Sequence, residues 1–254
     1  MEKKKQSKTK KLISRLITII SVSVFLYAGF NLSDVLIDYY KNRQMLSDVQ
    51  DIYYDMDSED EDREPDEIRS GFEELLKHND EVVGWITMDG TQIDYPILQS
   101  DNNIDYLTKD YNDRVTRAGS IFLDFRNDIT SENKNTVVYG HRMKDGSMFQ
   151  HLTKFLDEDF FKKHQTFEYD TLYDSYEAEI FSVYNTLTDF NYIQTDFSEE
   201  EKYAELLKKM KDKSRFKTDI EVNPDDLIIT LSTCDYELDE NEGRLVVHAK
   251  LVKI

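Results

Sequence analysis

Residues Leu227-Ile-Ile-Thr-Leu-Ser-Thr-Cys234 decide how this chain is read. An apolar, β-branched run of this length is the signature of a buried strand. It ends on the only cysteine in 254 residues. A polar segment, Asp235–Gly243, follows at once. A second strand-like run then opens on Arg244 and continues Leu-Val-Val-His-Ala-Lys-Leu-Val252. Upstream, Thr136-Val-Val-Tyr-Gly-His141 is another apolar run that ends in a histidine. A thiol, an imidazole and a guanidinium at strand ends are the groups that acyl transfer through a thioester needs, so the chain reads as an enzyme.

Each of the three has a plainer reading. A strand cysteine is most often packed and inert, but the polar loop after Cys234 puts it at a rim. His78, His151 and His164 fall in helical or polar segments where a solvated role is expected, and His248 alternates within the last strand as a packed or edge residue. Only His141 follows an apolar strand and a glycine. Arg244 is either a charge that blunts a strand edge or a permanently charged donor for an oxygen that becomes negative. If the runs ending at Cys234 and beginning at Arg244 are antiparallel neighbours, the loop between them brings the two side chains together.

Outward from these runs, further strand signals lie at Val82–Thr87, Ile93–Leu98, Ser120–Phe125, Thr136–Tyr139, Thr166–Tyr169 and Ala178–Thr186. With Leu227–Thr233 and Leu245–Val252 they make about eight short strands, the pattern of an antiparallel barrel or sandwich. Helical spacing interrupts them at Met148–Phe161 and at Ser198–Lys213. The latter opens on a capping-box sequence, Ser198-Glu-Glu-Glu201, and carries an apolar stripe of Tyr203, Leu206, Leu207 and Met210. Asp66–Lys77 is a short amphipathic helix. The fold class is mainly β with helical insertions.

The charge of −20 argues against nucleic acid as a partner, because binding phosphate requires a basic surface. The charge is unevenly placed. Residues 1–15 carry +6, which leaves about −26 for the rest. Residues 16–33 are uncharged and just long enough to cross a hydrocarbon core of roughly 30 Å. The basic flank orients the N-terminus to the cytoplasm. A cleavable signal peptide competes, but no clean Ala-x-Ala site follows. The expected organisation is a cytoplasmic tail at 1–15, a signal anchor at 16–33, an extracellular helix and acidic linker at 34–64, and a catalytic domain at 65–254. Within the linker, Asp34–Gln50 continues as helix and Asp51–Glu67 is a solvated spacer. One cysteine and scattered histidines give no metal-ligand spacing, and no cofactor is expected.

Tyr139-Gly-His141, Thr230-Leu-Ser-Thr-Cys234 and Arg244, in that order among eight strands, resemble the sortases, cysteine transpeptidases of Gram-positive bacteria. The resemblance spans roughly 65–254. The helix Ser198–Lys213 and the segment Gly84–Gln99 are most similar to class B. The resemblance implies an eight-stranded sortase-type β-barrel and a membrane-anchored enzyme. Its partners would be surface proteins with a C-terminal sorting signal (Asn-Pro-x-Thr-Asn-like or related) and a peptidoglycan precursor amine. Cys234 would attack the threonine carbonyl to form a thioester. His141 would protonate the departing amine and deprotonate the incoming one, and Arg244 would stabilise the oxyanion or hold the substrate backbone. Ser232 and Thr233 would line the groove, or else serve simply as strand residues. Ordinary thiols and imidazoles, near 8.5 and 6.5, leave roughly 3% thiolate and a quarter imidazolium at pH 7. Slow turnover is therefore expected. A pilin polymerase using a lysine acceptor, and a non-catalytic extracellular binding domain with an inert Cys234, are the other readings.

Overall fold

The computed structural model describes residues 8–57 and 67–254. The first seven residues of the basic tail and residues 58–66 of the acidic segment lie outside the described residues. Lys8–Asp57 form one long helix, α1, and the chain divides into two compact units at Arg43 and Gln44. In the first unit α1 is long and apolar enough to cross a membrane, with apolar side chains such as Phe25 exposed.

In the second unit eight strands close a barrel: β1 Val82–Thr87, β2 Asp94–Leu98, β3 Ile121–Leu123, β4 Asn135–Tyr139, β5 Thr166–Thr171, β6 Ser175–Thr186, β7 Ile228–Cys234 and β8 Arg244–Lys253. Their order around the wall is β1-β2-β3-β4-β7-β8-β6-β5, and β5 pairs with β1 to complete it. Closure leaves no long edge exposed. The eight expected strands are all present. The barrel is mixed, however, and not antiparallel throughout, because β2–β3 and β4–β7 pair in parallel. A parallel pair needs a long crossover, and the chain between β4 and β7 supplies one.

The run that ends at Cys234 sits between β4 and β8, and its first six residues are all buried. Continuous burial, in place of alternation, follows from cover on both faces. The barrel interior lies on one side. On the other, helix α4 (Glu200–Lys213) lays Tyr203, Leu206, Leu207 and Met210 onto Phe181, Tyr184, Ile228 and Val246.

Several expected boundaries shift for local reasons. β3 stops at Leu123, short of Phe125, because the Asp124 carboxylate accepts from the Arg126 backbone N–H at 2.9 Å and turns the chain. The capping box at Ser198 does not form. The helix begins at Glu200 with Glu199 as an extended N-cap whose side chain makes no capping bond. Met148–Phe161 is two pieces, a 3-10 helix at Phe149–Leu156 and a short helix α3 at Glu158–Lys163. Asp157 separates them by capping α3 itself, accepting from the Phe160 N–H at 2.9 Å. The helix read at Asp66–Lys77 is α2, Ser70–His78. Asp51–Asp57, read as spacer, continue α1, and Tyr53 is 2% exposed, stacked on Trp85.

Candidate active site

β7 and β8 are antiparallel neighbours, and their register pairs Cys234 with Arg244. The loop Asp235–Gly243 is closed by the Asp235 N–H on the Gly243 carbonyl at 2.8 Å. On the other flank of β7, parallel pairing sets Tyr139 beside Ser232, so the chain leaves β4 at Gly140 next to the same rim. The His141 segment is then fixed at three points. Gly140 N–H donates to Ser232 O at 3.3 Å, Thr233 Oγ1 donates to Gly140 O at 2.7 Å, and Phe149 N–H donates to His141 O at 2.9 Å.

Cys234, His141 and Arg244 therefore line one cavity of about 210 Å³, with Tyr139, Ser232 and Thr233 in its wall. Cys234 is partly buried, and Arg244 uses Nη1 to hold the loop carbonyls of Asn241 (3.0 Å) and Gly243 (2.8 Å). Ser232 and Thr233 are both buried, and their hydroxyls are already engaged, Ser232 with Tyr192 Oη at 2.9 Å and Thr233 with Gly140. Among the described residues no cluster of His, Cys, Asp and Glu is arranged to hold a metal ion. A second cavity of about 200 Å³, bordered by Asp128, Glu132, Tyr169, Asp174 and Tyr176, contains no thiol, imidazole or cationic side chain.

The other four histidines stand apart from this cavity. His78 is exposed on α2, while His164 stacks on Phe160 at 4.2 Å. His151 accepts the Gln92 N–H at 2.8 Å and so is not simply solvated, and His248 is fully buried.

Several neighbours carry no signal in the linear sequence. Arg142 pairs with Asp235 at 3.2 Å and with Glu237 at 2.9 Å, while Asn185 donates to the other Asp235 oxygen at 2.7 Å. The negative charge next to the thiol is thus compensated by a guanidinium and an amide. Tyr236 lies against Cys234. Burial first, and then the neighbouring Cys234, push its phenol pKa up, while Arg244 and Arg142 pull it down. Behind the wall, fully buried Asp124 accepts from Tyr139 Oη (2.7 Å), Asn103 Nδ2 (3.0 Å) and Arg126 Nε (2.8 Å). Burial alone would raise the Asp124 pKa. The Arg126 and Tyr139 bonds outweigh it and hold the carboxyl below its ordinary value. Arg126 in turn donates to the Ile193 carbonyl at 2.9 Å, tying the β6–α4 connection to this wall.

Residues 86–252 match the model of the Sortase domain family. Sortase B from Listeria monocytogenes is 43% identical over 245 residues, which cover 96% of this chain and 99% of that protein. The solved sortase B from Bacillus anthracis is 51% identical with a TM-score of 0.78, covering 87% of this chain and all of that one. Sortase B from Staphylococcus aureus, solved as a substrate complex, is 38% identical with a TM-score of 0.79 over 86% of this chain and 99% of that one. This chain belongs to the sortase family of cysteine transpeptidases, on its sortase B branch.

Proposed function

We propose that the chain is a membrane-anchored transpeptidase that joins surface proteins to the cell wall. The carrying observation is that Cys234, His141 and Arg244 line one cavity. Cys234 Sγ, as thiolate, attacks the threonine carbonyl carbon of an Asn-Pro-x-Thr-Asn-like sorting signal. Arg244 stabilises the oxyanion that forms. When the tetrahedral species collapses, the C–N bond breaks and the departing amine takes its proton from the His141 imidazolium. A thioester remains. An amine on a peptidoglycan precursor then attacks it and gives its proton to His141. The Cys234 thiolate leaves, and a new amide joins protein to wall. A sorting peptide as donor is consistent with the related S. aureus protein, which is solved with substrate. Anchoring rests on the apolar stretch of α1 and its basic flank. It assigns residues 1–15 to the cytoplasm, 16–33 to the membrane, 34–64 to an extracellular connection and 65–254 to catalysis.

The test uses residues 34–254, with and without Cys234→Ala, incubated with pentapeptide sorting signals and a glycine-type amine and read by mass spectrometry. Cleavage after threonine with amine capture is expected, together with a thioester adduct, and all three vanish in the alanine chain. No cleavage and no adduct from any peptide would transfer the case to a non-catalytic binding domain. A lysine side chain accepted in preference to the glycine amine would identify a pilin polymerase.

A further inference from the structure

His141 makes its side-chain hydrogen bond to a backbone carbonyl, not to a carboxylate. Nε2 lies 2.8 Å from the Leu107 oxygen, 34 residues away in sequence. A carbonyl only accepts, so Nε2 must carry a proton whether the ring is neutral or charged. Asp235, the acidic residue next to the nucleophile, is taken by Arg142 and Asn185. We propose that the 3-10 turn Asp105–Leu107, wedged from behind by Gly119, is the orienting partner of His141. Through the Leu107 carbonyl it fixes the ring and its tautomer, and it leaves Nδ1 as the nitrogen that gives and takes the catalytic proton. This positioning role presupposes His141 as the proton-transfer group of the proposed function.

The turn is built to keep that carbonyl still. Asn102 Oδ1 accepts the N–H groups of Ile104 (2.8 Å) and Asp105 (3.0 Å), which caps its start. Thr108 and Lys109 both donate to the Asp105 carbonyl at 3.1 Å. Tyr106 is buried, and its carbonyl accepts the Ser120 N–H at 2.9 Å, so the segment after Gly119 is bonded to the back of the turn. Gly119 itself has φ +58°, a conformation that favours glycine. A Cβ there would lie 2.5 Å from the Tyr106 oxygen and 2.8 Å from the Leu107 oxygen, the same atom that holds His141. Any side chain at 119 must therefore displace the carbonyl that orients the imidazole. In the neutral ring Nδ1 carries the lone pair that accepts the proton of the incoming amine. In the charged ring it carries the proton given to the departing amine. Neither step disturbs the Nε2–H bond, so the ring keeps its place through the cycle.

The experiment is a two-bond 15N–1H spectrum of the full-length, 15N-labelled chain in detergent, at a pH where the ring is neutral. His141 is assigned by its loss in His141→Gln. A proton-bearing Nε2 and a lone-pair Nδ1 are expected. An Nδ1–H tautomer, or an even mixture of the two, would overturn the proposal. Gly119→Ala is expected to mix the tautomers and to lower kcat about 10- to 100-fold with little change in KM, since misplacement of a catalytic group by about 1 Å costs on that order. Gly90→Ala is the control. Gly90 also has positive φ (+73°), but its Cβ would meet His164, so it should lower the thermal midpoint without altering the His141 spectrum or the pH–rate profile. A Gly119→Ala chain with the wild-type tautomer and pH–rate profile, merely less stable, would also overturn the proposal. If that variant does not fold, the wild-type spectrum decides alone. Transfer activity surviving in His141→Ala would remove the proton-transfer role itself, and the tautomer spectrum separates that failure from loss of the carbonyl contact.

Discussion

In the barrel wall, His248 has no exposed surface, and both ring nitrogens are bonded, Nε2 to Tyr184 Oη at 2.7 Å and Nδ1 to Thr230 Oγ1 at 2.8 Å. The proton positions follow from the far end of the chain. Asn135 spends its amide N–H groups on the carbonyls of Tyr192 (3.0 Å) and Gln194 (2.9 Å), so its Oδ1 accepts from Thr230. Thr230 must then accept from Nδ1–H, and Nε2 accepts from Tyr184. A second proton on the ring would force the Tyr184 hydroxyl to turn from donor to acceptor, and burial pushes the pKa of His248 down from 6.5 to about 3. A folded value below the unfolded one means that the unfolded chain binds the proton first. The stability contributed is complete above about pH 6.5 and is lost as pH falls toward 3. Asp124, also depressed, acts only below its ordinary value near 3.8, so the two windows separate. The thermal midpoint is expected to fall steadily between pH 6.5 and 4, with a shallower slope in His248→Gln. Equal slopes in the two chains would remove His248 as the cause. Sequence alternation marked His248 as packed or edge but could not name its partners, which lie 18 and 64 residues away. That Cys234, His141 and Arg244 meet at one cavity was legible because each sits where an apolar run meets polar sequence. Arg142, Asn103 and the Leu107 carbonyl were not, since their contacts arise only when distant segments fold together.

The helices separate what periodicity determines from what capping determines. The stripe Tyr203, Leu206, Leu207 and Met210 was readable because one buried face repeats every three to four residues. The start of that helix was not, because a capping box is a set of hydrogen bonds and not only a spacing. Glu199 occupies the N-cap in extended geometry (φ −140°, ψ 133°) without capping the helix, and its side chain instead reaches Lys202 at 3.1 Å, an exposed pair. Exposed pairs contribute about 0–1 kcal/mol, whereas a good N-cap contributes about 1 kcal/mol. Glu199→Asp is therefore expected to stabilise the protein by about 0.5 kcal/mol, seen as a higher urea midpoint with an unchanged m-value. An unchanged or lower midpoint would show that the end of α4 is constrained by something other than its cap. The parallel pairing of β4 with β7 was likewise illegible, because a buried strand reads as the same apolar run in either direction.

At the scale of the whole molecule, the compact unit that contains the barrel takes in residues from Gln44 onward. Tyr53 lies flat on Trp85, with centroids 4.2 Å apart and planes within 1°, and meets Phe72 edge-on at 5.3 Å. Its hydroxyl donates to Asp170 at 2.6 Å. Asp94 gathers the rest, accepting Trp85 Nε1 and Tyr54 Oη at 2.8 Å each on Oδ1, and Gln50 Nε2 at 2.7 Å on its carbonyl. Burial, with the nearby Asp94 carboxylate, pushes the Tyr54 phenol up to about 12. Acidic composition masked this packing, since Asp and Glu between the aromatic residues read as solvated spacer. A stacked aromatic pair is worth about 0.5–1.5 kcal/mol beyond its area, and each hydrogen bond about 0.5–1.5 kcal/mol net. A chain starting at Glu67 should therefore be less stable than one starting at Gln44, by on the order of 3 kcal/mol. Trp85 is the only tryptophan and is 1% exposed, so its emission reports the change directly. The shorter chain should emit at longer wavelength and unfold at lower urea. If emission and midpoint coincide in the two chains, residues 44–57 do not hold the barrel in solution, and the catalytic unit starts after the acidic segment.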